Sequence, residues 1–372
     1  MDQQQRLLSL DIFRGITIAG MILVNNPGSW SDVYAPLLHA EWHGVTPTDW
    51  VFPFFLFIVG VAIAYALGRR KEQGVERKAL LAKIGRRTLI IFGLGLFLNG
   101  FPYFNFSTIR IPGVLQRIAL VYGISATLFL YCSPRQLFWV GVACLFGYWG
   151  LMTLVPVPGA AAPNLEPSTN LGAWLDRTLL NGHLWVQSKT WDPEGLLSTL
   201  PAVATGISGI FAGLWLRKPN DGYEKAAGLL AIGVVLLALG CIWDLAFPIN
   251  KKIWTSSYVL YTSGVALLFL GLVYWLGDLK GSTWWTKPFV IYGTNALFVF
   301  VLSGLVAKLM YLIKWTNAAG EEISLKSWIW SNLYEPAFTS VKMASLAFAI
   351  TNVLFFLFLS WILYRKKIFI KV

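Results

Sequence analysis

Long apolar segments recur along the whole chain, and this pattern limits the possible folds more than any other feature. The first, LLSLDIFRGITIAGMILVNN, lies near the start, and the last, VKMASLAFAITNVLFFLFLSWILY, lies near the end. A mostly apolar segment of about 18 residues or more is typical of a helix that crosses a membrane. The chain is 56% hydrophobic and 13% charged, whereas soluble domains carry about 25% charged residues. The sequence therefore predicts an all-α membrane protein.

The segments predict one transmembrane helix bundle of about ten spans over residues 1–372. The first segment is expected to remain as a helix, because it lacks the small-residue site at which signal peptides are cleaved. The longest segment between spans, 156–195, is expected to be an extended periplasmic loop. The predicted spans are 8–25, 48–68, 82–99, 113–131, 136–155, 196–216, 226–246, 255–276, 288–311 and 341–363.

Within that loop, the stretch NLGAWLDRTLLNG predicts a short helix with its apolar side chains on one face, which is typical of a helix lying at a membrane interface. These side chains are Leu171, Trp174, Leu175 and Leu179.

The net charge of +12 is better explained by orientation in a membrane than by nucleic-acid binding, because the basic residues occupy short loops. Well over half of the basic residues, among them Arg6 and Lys371, lie in loops on the same side of the membrane as the two termini. The stretch RRKEQGVERK at 69–78 contributes most to this excess. Cytoplasmic loops carry the excess of Lys and Arg. Both termini are therefore expected in the cytoplasm, with the protein in a bacterial cytoplasmic (inner) membrane and no nucleic-acid partner.

Two of the three histidines, His39 and His43, precede the second span in LLHAEWHGVTPTDW. A pair four residues apart supplies too few ligands for zinc, so no metal is expected. Histidine is well suited to take a proton near neutral pH. Asp49 fits a helix cap after Thr46, although it could also orient an imidazole. Asn25 lies just before Pro27 and Gly28, which are typical of a turn, so a purely structural role is compatible with its position.

Further polar side chains lie at the ends of spans, where they indicate either loop structure or a polar pocket. Asp11 and Arg14 share a helix face and could form an anchoring ion pair or contact a charged ligand. The other clusters are Arg110 with Gln116 and Arg117; Asp192 with Glu194; Asn250 with Lys251 and Ser256; and Asn295.

Several of these stretches occur in a recognisable order: LDIFRGI, then HAEWHGVTPTDWVFPFFLFIVG, RIPGVLQRI, WDPEG and NKKIWTSSYV. This order resembles the heparan-alpha-glucosaminide N-acetyltransferase family, including its small bacterial members. The RIPGVLQR and HAEW…DWVFPFF stretches are specific, whereas LDIFRG alone also fits other membrane acyltransferases. The resemblance covers almost the whole chain.

The resemblance implies a transmembrane acetyltransferase that moves acetyl from cytosolic acetyl-CoA to the amino group of a glucosamine-type sugar on the far side. It places the essential histidine at His39, which is the histidine of the family's H-A-x-W motif, whereas His43 falls where lysosomal relatives carry asparagine. His39 is then a general base, with an acetyl-histidine intermediate as the second mechanism. Asn25 would stabilise the oxyanion and Asp49 would orient His39.

The remaining site residues follow from this interpretation. Those expected to bind acetyl-CoA are Arg14, Arg86, Arg87, Arg110, Asn250 and Ser256. Those expected to bind the sugar are Asp192, Glu194 and Asn295. Arg86 and Arg87 could equally reflect membrane orientation alone.

Two other functions fit the same sequence: an amino-sugar transporter, and a membrane O-acyltransferase acting on another glycan. The expected partners are an amino-sugar substrate and membrane lipid, and a homodimer is left open.

Overall fold

In the computed structural model of the chain, residues 7–317 and 320–370 are described. Arg6 and Lys371, which contribute to the predicted orientation, lie outside these residues. The helices in chain order are α1 Leu8–Asn25, α2 Val51–Glu72, α3 Arg77–Gly100, α4 Val114–Tyr131, α5 Pro134–Leu154, α6 Leu171–Leu180, α7 Thr199–Leu216, α8 Gly222–Asp244, α9 Ser256–Tyr274, α10 Lys287–Thr294, α11 Ala296–Leu312, α12 Leu325–Ile329 and α13 Val341–Arg365.

Short elements complete the fold. A 3₁₀ turn at Pro47–Trp50 leads into α2, and a π-helical turn at Trp275–Leu279 extends α9. One small antiparallel hairpin pairs β1 (Lys314–Thr316) with β2 (Glu322–Ser324). The expected all-α class is therefore confirmed, with this hairpin as an addition.

Eight helices within the described residues are long and apolar enough to cross a membrane. The pair α10 and α11, bent by 82° where they meet, raises the number to nine if it forms one broken span. The expected span at 82–99 falls inside α3, which does not pass the same test because Lys83, Arg86 and Arg87 interrupt it. Charged side chains are costly in the bilayer interior. The structure thus supports eight or nine of the ten expected spans.

The chain forms two compact units. The first unit contains the described residues up to His39, Thr46–Val51, and the chain from Leu276 onwards. The second unit contains Ala40–Val45 and Phe52–Trp275. Nothing in the sequence signals this division, because both units are built from apolar helices of similar composition.

In the first unit, α1 packs closely on α10. A Cβ on Gly15 would lie 1.8 Å from the carbonyl oxygen of Phe289, and one on Gly293 would lie 2.3 Å from that of Asp11. Only glycine allows this approach, which is the usual way for helices to pack tightly within a membrane. Asp278 accepts hydrogen bonds from the backbone N–H groups of Leu8 and Ser9 at the start of α1. This carboxylate therefore caps the helix that leads to the candidate site.

In the second unit, α2 to α9 pack together, and α6 lies in the long loop after α5. The expected short helix in this loop is confirmed. However, the residues that it buries against the protein are Ala173 and Asp176, while Leu179 is 61% exposed. Of the predicted apolar face, Leu171 is half-buried against a core cluster that includes Tyr148 and Phe247, so the helix buries this face only in part.

Candidate active site

His39 and Asp49 form a hydrogen-bonded pair in the first unit. Nδ1 of His39 lies 2.6 Å from Oδ1 of Asp49. The carboxylate side chain is 1% exposed, whereas the imidazole side chain is 42% exposed. The pair thus combines a fixed acidic end with an imidazole that solvent or a substrate can reach.

Local structure holds the carboxylate in place. The other carboxylate oxygen, Oδ2, accepts a hydrogen bond from the backbone N–H of Thr46 at 3.0 Å, which is the helix-capping arrangement predicted from the sequence. The Thr46 hydroxyl lies 2.6 Å from the carbonyl oxygen of Leu38 and fixes the residue that precedes His39. Asp49 is therefore both a helix cap and the partner of the imidazole, so the two roles weighed for it do not exclude each other.

This geometry favours one form of the imidazole. A carboxylate at Nδ1 favours a proton on that nitrogen, and in the neutral ring the basic lone pair then lies on Nε2. An imidazole held in this way is suited to accept a proton from a nucleophile.

The segment after His39 belongs to the second unit and is attached there at several points. Trp42 donates its indole N–H to the carbonyl oxygen of Leu165, and the backbone N–H of Gly44 donates to Ile249. The His43 side chain has a much weaker contact, with its Nδ1 3.5 Å from the amide nitrogen of Asn250. Two histidines four residues apart therefore have very different surroundings.

Asn25 and Asn295 are the other two polar residues of the first unit that the sequence predicts for the site, and one is exposed while the other is buried. Asn25 is exposed at the end of α1, and among the described residues no hydrogen bond joins its side chain to His39. Asn295 is 1% exposed between α10 and α11. Its amide donates to the carbonyl oxygen of Ile368 at 3.0 Å and accepts from the N–H of Ile370 at 2.8 Å. Asn295 thus ties the C-terminal segment to the helix break, and its role in binding sugar stays a prediction.

The arginines expected to contact the nucleotide lie on two helices. Arg14 is 3.2 Å from Asp11, so the anchoring ion pair weighed from the sequence does form. Arg86 and Arg87 lie exposed on α3. The Arg87 guanidinium lies 4.7 Å from the centre of the Tyr122 ring, which is a cation–π contact. Phosphate binding by these arginines stays a prediction.

Arg110, Asp192 and Glu194 form an ion cluster in the second unit. Arg110 donates two hydrogen bonds to Asp192, at 2.8 and 2.5 Å, and one to Glu194 at 2.6 Å. Burial lowers the pKa of the Arg110 guanidinium, but hydrogen bonds and charges from the two carboxylates outweigh burial and raise the pKa above its ordinary value. Arg110 is predicted to bind acetyl-CoA, and Asp192 and Glu194 are predicted to bind sugar. In this cluster their opposite charges neutralise one another.

Asn250 and Ser256 are both fully buried in the second unit. Asn250 accepts a hydrogen bond from the N–H of Ile253, and Ser256 donates to the carbonyl oxygen of Leu145. These contacts give both side chains a part in packing the unit, and their binding of acetyl-CoA stays a prediction.

Arg117 and Gln116 are buried hydrogen-bond donors. The sequence predicts no specific role for either. Arg117 is 1% exposed and donates to Gly195 and Ser198. Its Nε and Nη1, with Nε2 of Gln116, have no hydrogen-bond partner within the described residues. The Arg117 guanidinium also lies 5.2 Å from the centre of the Trp254 ring, which is a cation–π contact. The sequence does contain a signal for their burial, because these two strongly polar residues lie in the first turn of α4, which is otherwise apolar.

Asp176 is a further residue that the sequence did not single out. It is 2% exposed and accepts hydrogen bonds from the backbone N–H groups of Asp192 and Leu196. Burial raises the pKa of this carboxyl to about 6, against the opposing effect of those two hydrogen bonds. Asp176 therefore fixes the backbone of the loop that carries the Arg110 partners.

The third histidine, His183, lies in the second unit. His183 places Nδ1 2.8 Å from the carbonyl oxygen of Ile109, which is a structural contact. In the part of the chain that the structure describes, no group of three or more His, Cys, Asp or Glu side chains could hold a metal ion.

Comparisons with known proteins agree with the order of motifs in the sequence. Residues 6–219 match the family described as heparan-alpha-glucosaminide N-acetyltransferase, catalytic. The human heparan-alpha-glucosaminide N-acetyltransferase is 29% identical in an alignment 308 positions long; the alignment covers 68% of this chain and 46% of the human protein. The mouse protein is 28% identical in an alignment of the same length, with the same coverage. The chain thus matches about half the length of these relatives. It is a membrane protein with multiple candidate spans, and it belongs to the heparan-alpha-glucosaminide N-acetyltransferase catalytic family.

Proposed function

We propose that the protein is a transmembrane acetyltransferase that moves an acetyl group from acetyl-CoA to the amino group of a glucosamine-type sugar. The observation that carries this proposal is the pair formed by His39 and Asp49, with its buried carboxylate and reachable imidazole. A carrier needs only to bind its solute, so it does not need an imidazole held ready to take a proton. Family membership adds support, because the human and mouse relatives are N-acetyltransferases by name.

The reaction needs a base, because an ammonium group is not a nucleophile. In the proposed step, Nε2 of His39 takes a proton from the sugar amine as its nitrogen attacks the thioester carbonyl. Asp49 stabilises the imidazolium that forms. The bond between carbon and sulfur then breaks, and the departing thiolate takes up the proton from the His39 imidazolium, which returns the imidazole to its neutral form. The exposed amide of Asn25 is the proposed donor to the thioester oxygen while it carries negative charge.

The proposal also includes an orientation. Acetyl-CoA is a cytoplasmic metabolite, so its nucleotide phosphates are proposed to bind on the side of the basic loop at 69–78, with Arg86, Arg87 or Arg14 as alternative contacts. The loop at 156–195 is then external, in a bacterial inner membrane. Labelling of intact cells should modify a cysteine at position 165 but not one at position 74, and the reverse pattern would refute this orientation.

The decisive test compares the two histidines. Purified protein is supplied with radiolabelled acetyl-CoA and glucosamine, and acetylated sugar is measured. His39→Ala should lose roughly 10²-fold or more in turnover, the scale expected for removing a general base. His43→Ala, the matched control four residues away, should keep most of its activity.

Other outcomes point to other functions. If wild-type protein transfers no acetyl group but vesicles that contain it take up amino sugar, the protein is a transporter. Acetylation of a hydroxyl group instead of the amine would indicate an O-acyltransferase. An equal loss in both histidine variants would remove the support for His39 as the base.

A further inference from the structure

A cavity in the second unit lies where the ends of four helices meet, and it is independent of the proposed active site. It has a volume of about 330 Å³. The C-terminal ends of α2, α4 and α7 and the N-terminal end of α5 form its walls. The lining residues used below are Lys71, Phe129, Cys132, Leu137, Leu214 and Arg217.

The two cations of the cavity differ in how their charge is balanced. Arg217 donates to both carboxylate oxygens of Glu72 at 2.7 Å, and to the carbonyl oxygen of Ala64. Lys71 is exposed, and its ammonium lies 6.0 Å from the centre of the Phe129 ring. Among the described residues, no carboxylate forms a salt bridge with Lys71. The cavity therefore presents one uncompensated positive charge above an apolar wall.

The surroundings of the cavity have the composition of a membrane interface. The side chains of Tyr131, Phe138 and Trp139, at the ends of α4 and α5, are 55%, 51% and 59% exposed. Aromatic residues of this kind collect at the level of lipid headgroups, and basic residues collect beside them. The basic stretch at 69–78 supplies those residues. Basic pockets between transmembrane helices are known to take anionic lipid headgroups.

The packing of α2 against α7 favours a lipid over a long-armed coenzyme. A Cβ on Gly60 of α2 would lie 2.0 Å from the carbonyl oxygen of Gly206 on α7. One on Gly213, nearer the cavity, would lie 2.7 Å from Cβ of Ala64. The two helices are therefore in backbone contact beyond the cavity, so the route between α2 and α7 is closed to an extended arm. A ligand held here by a phosphate can lay apolar chains over the exposed side chains of Phe138 and Trp139 on α5.

We propose that this cavity binds the headgroup of an anionic phospholipid. Lys71 contacts the phosphate, Leu137 and Leu214 contact the first carbons of the acyl chains, and the chains continue over Phe138 and Trp139. The cavity is lined by none of the arginines proposed to contact acetyl-CoA, and the lipid assignment stands whether or not the protein is an acetyltransferase.

The first test measures lipid retention by native mass spectrometry. Protein is reconstituted in nanodiscs of mixed phosphatidylglycerol and phosphatidylcholine, released, and scored for bound phosphatidylglycerol. Lys71→Ala should retain about fivefold less, because one lysine near an anionic headgroup is worth about 1 kcal/mol. Lys71→Arg should retain the wild-type amount. Lys78→Ala, which removes an exposed charge outside the cavity, should also match the wild type. Equal losses in Lys71→Ala and Lys78→Ala would overturn the proposal, because the effect would then be one of general surface charge.

The second test uses Cys132, which lines the cavity, as a reporter. Cys241→Ser removes the exposed thiol, and Cys144 is buried. N-ethylmaleimide should modify Cys132 more slowly in phosphatidylglycerol nanodiscs than in phosphatidylcholine nanodiscs. Protection by inorganic phosphate or by adenosine 3′,5′-diphosphate in phosphatidylcholine nanodiscs would show instead that the site takes a free phosphate or the nucleotide, and either result would overturn the lipid assignment.

Discussion

Asp49 and Asp192 are both almost fully buried carboxylates, and each is hydrogen bonded to a basic side chain. The partner of Asp49 is His39, an imidazole that can gain or lose a proton and whose side chain is 42% exposed. The partner of Asp192 is Arg110, a guanidinium that stays charged and binds the carboxylate through two hydrogen bonds. The first pair is suited to moving a proton, and the second is suited to holding a loop. The role of a buried carboxylate therefore depends on whether its basic partner can exchange a proton and whether that partner is open to solvent.

The largest expected effect comes from breaking the Arg110 cluster. Arg110→Ala leaves Asp192 and Glu194 buried without their cation, which should cost about 3–5 kcal/mol of stability. The measurement is the melting temperature of the purified protein in detergent. His39→Ala is the matched control. It should melt close to the wild type, because Asp49 keeps its hydrogen bond to the backbone of Thr46.

The opposite result would change the comparison. If Arg110→Ala melts as the wild type does but no longer binds acetyl-CoA, the guanidinium serves the ligand, as predicted from the sequence, and its contribution to the fold is minor.

A smaller effect is expected from changing the carboxylate of the first pair. Asp49→Asn keeps the size of the side chain but removes the charge that stabilises the imidazolium. Turnover should fall by roughly 10- to 100-fold, part of what a general base contributes. Acetyl transfer at saturating acetyl-CoA is the measurement, with the KM for glucosamine followed alongside.

A rise in KM with unchanged turnover would show that Asp49 positions the substrate and not the base. Asp192→Asn is the contrasting variant, and its loss should be in melting temperature.

The last prediction concerns Asp176, which accepts hydrogen bonds from the backbone N–H groups of Asp192 and Leu196. Burial raises its pKa from 3.8 to about 6. An acid whose pKa is raised in the folded protein binds its proton more tightly there than in the unfolded chain. Its contribution to stability is therefore complete below about pH 4 and is lost as the pH rises through about 6.

The neutral variant Asp176→Asn should lack this dependence. The wild type should lose about 1–3 kcal/mol relative to the variant between pH 4 and pH 7. Melting temperatures of both proteins across that range test this expectation. A constant difference would show that Asp176 titrates at the same pH in the folded and unfolded states.

Much of the fold follows from the apolar pattern, because hydrocarbon imposes helices on any segment that crosses it. The predicted ends of α1 and α4 agree with the structure to within a residue. The break at Asn295 was not predicted, because a continuous apolar segment does not reveal a bend of 82°. The cap at Thr46 was predicted, since capping depends only on neighbouring residues.

The sequence by itself determined the class of the protein, the position of most helices and the family. It could do so because hydrophobic length and motif order are properties of the chain alone. Only the tertiary structure decided which charged groups are partners. Arg110 and Asp192 are 82 residues apart, and Arg117 meets Ser198 across 81. Such pairs form because burial makes an unpaired charge costly. Packing then determines which carboxylate lies within reach, and packing depends on contacts that no local pattern records.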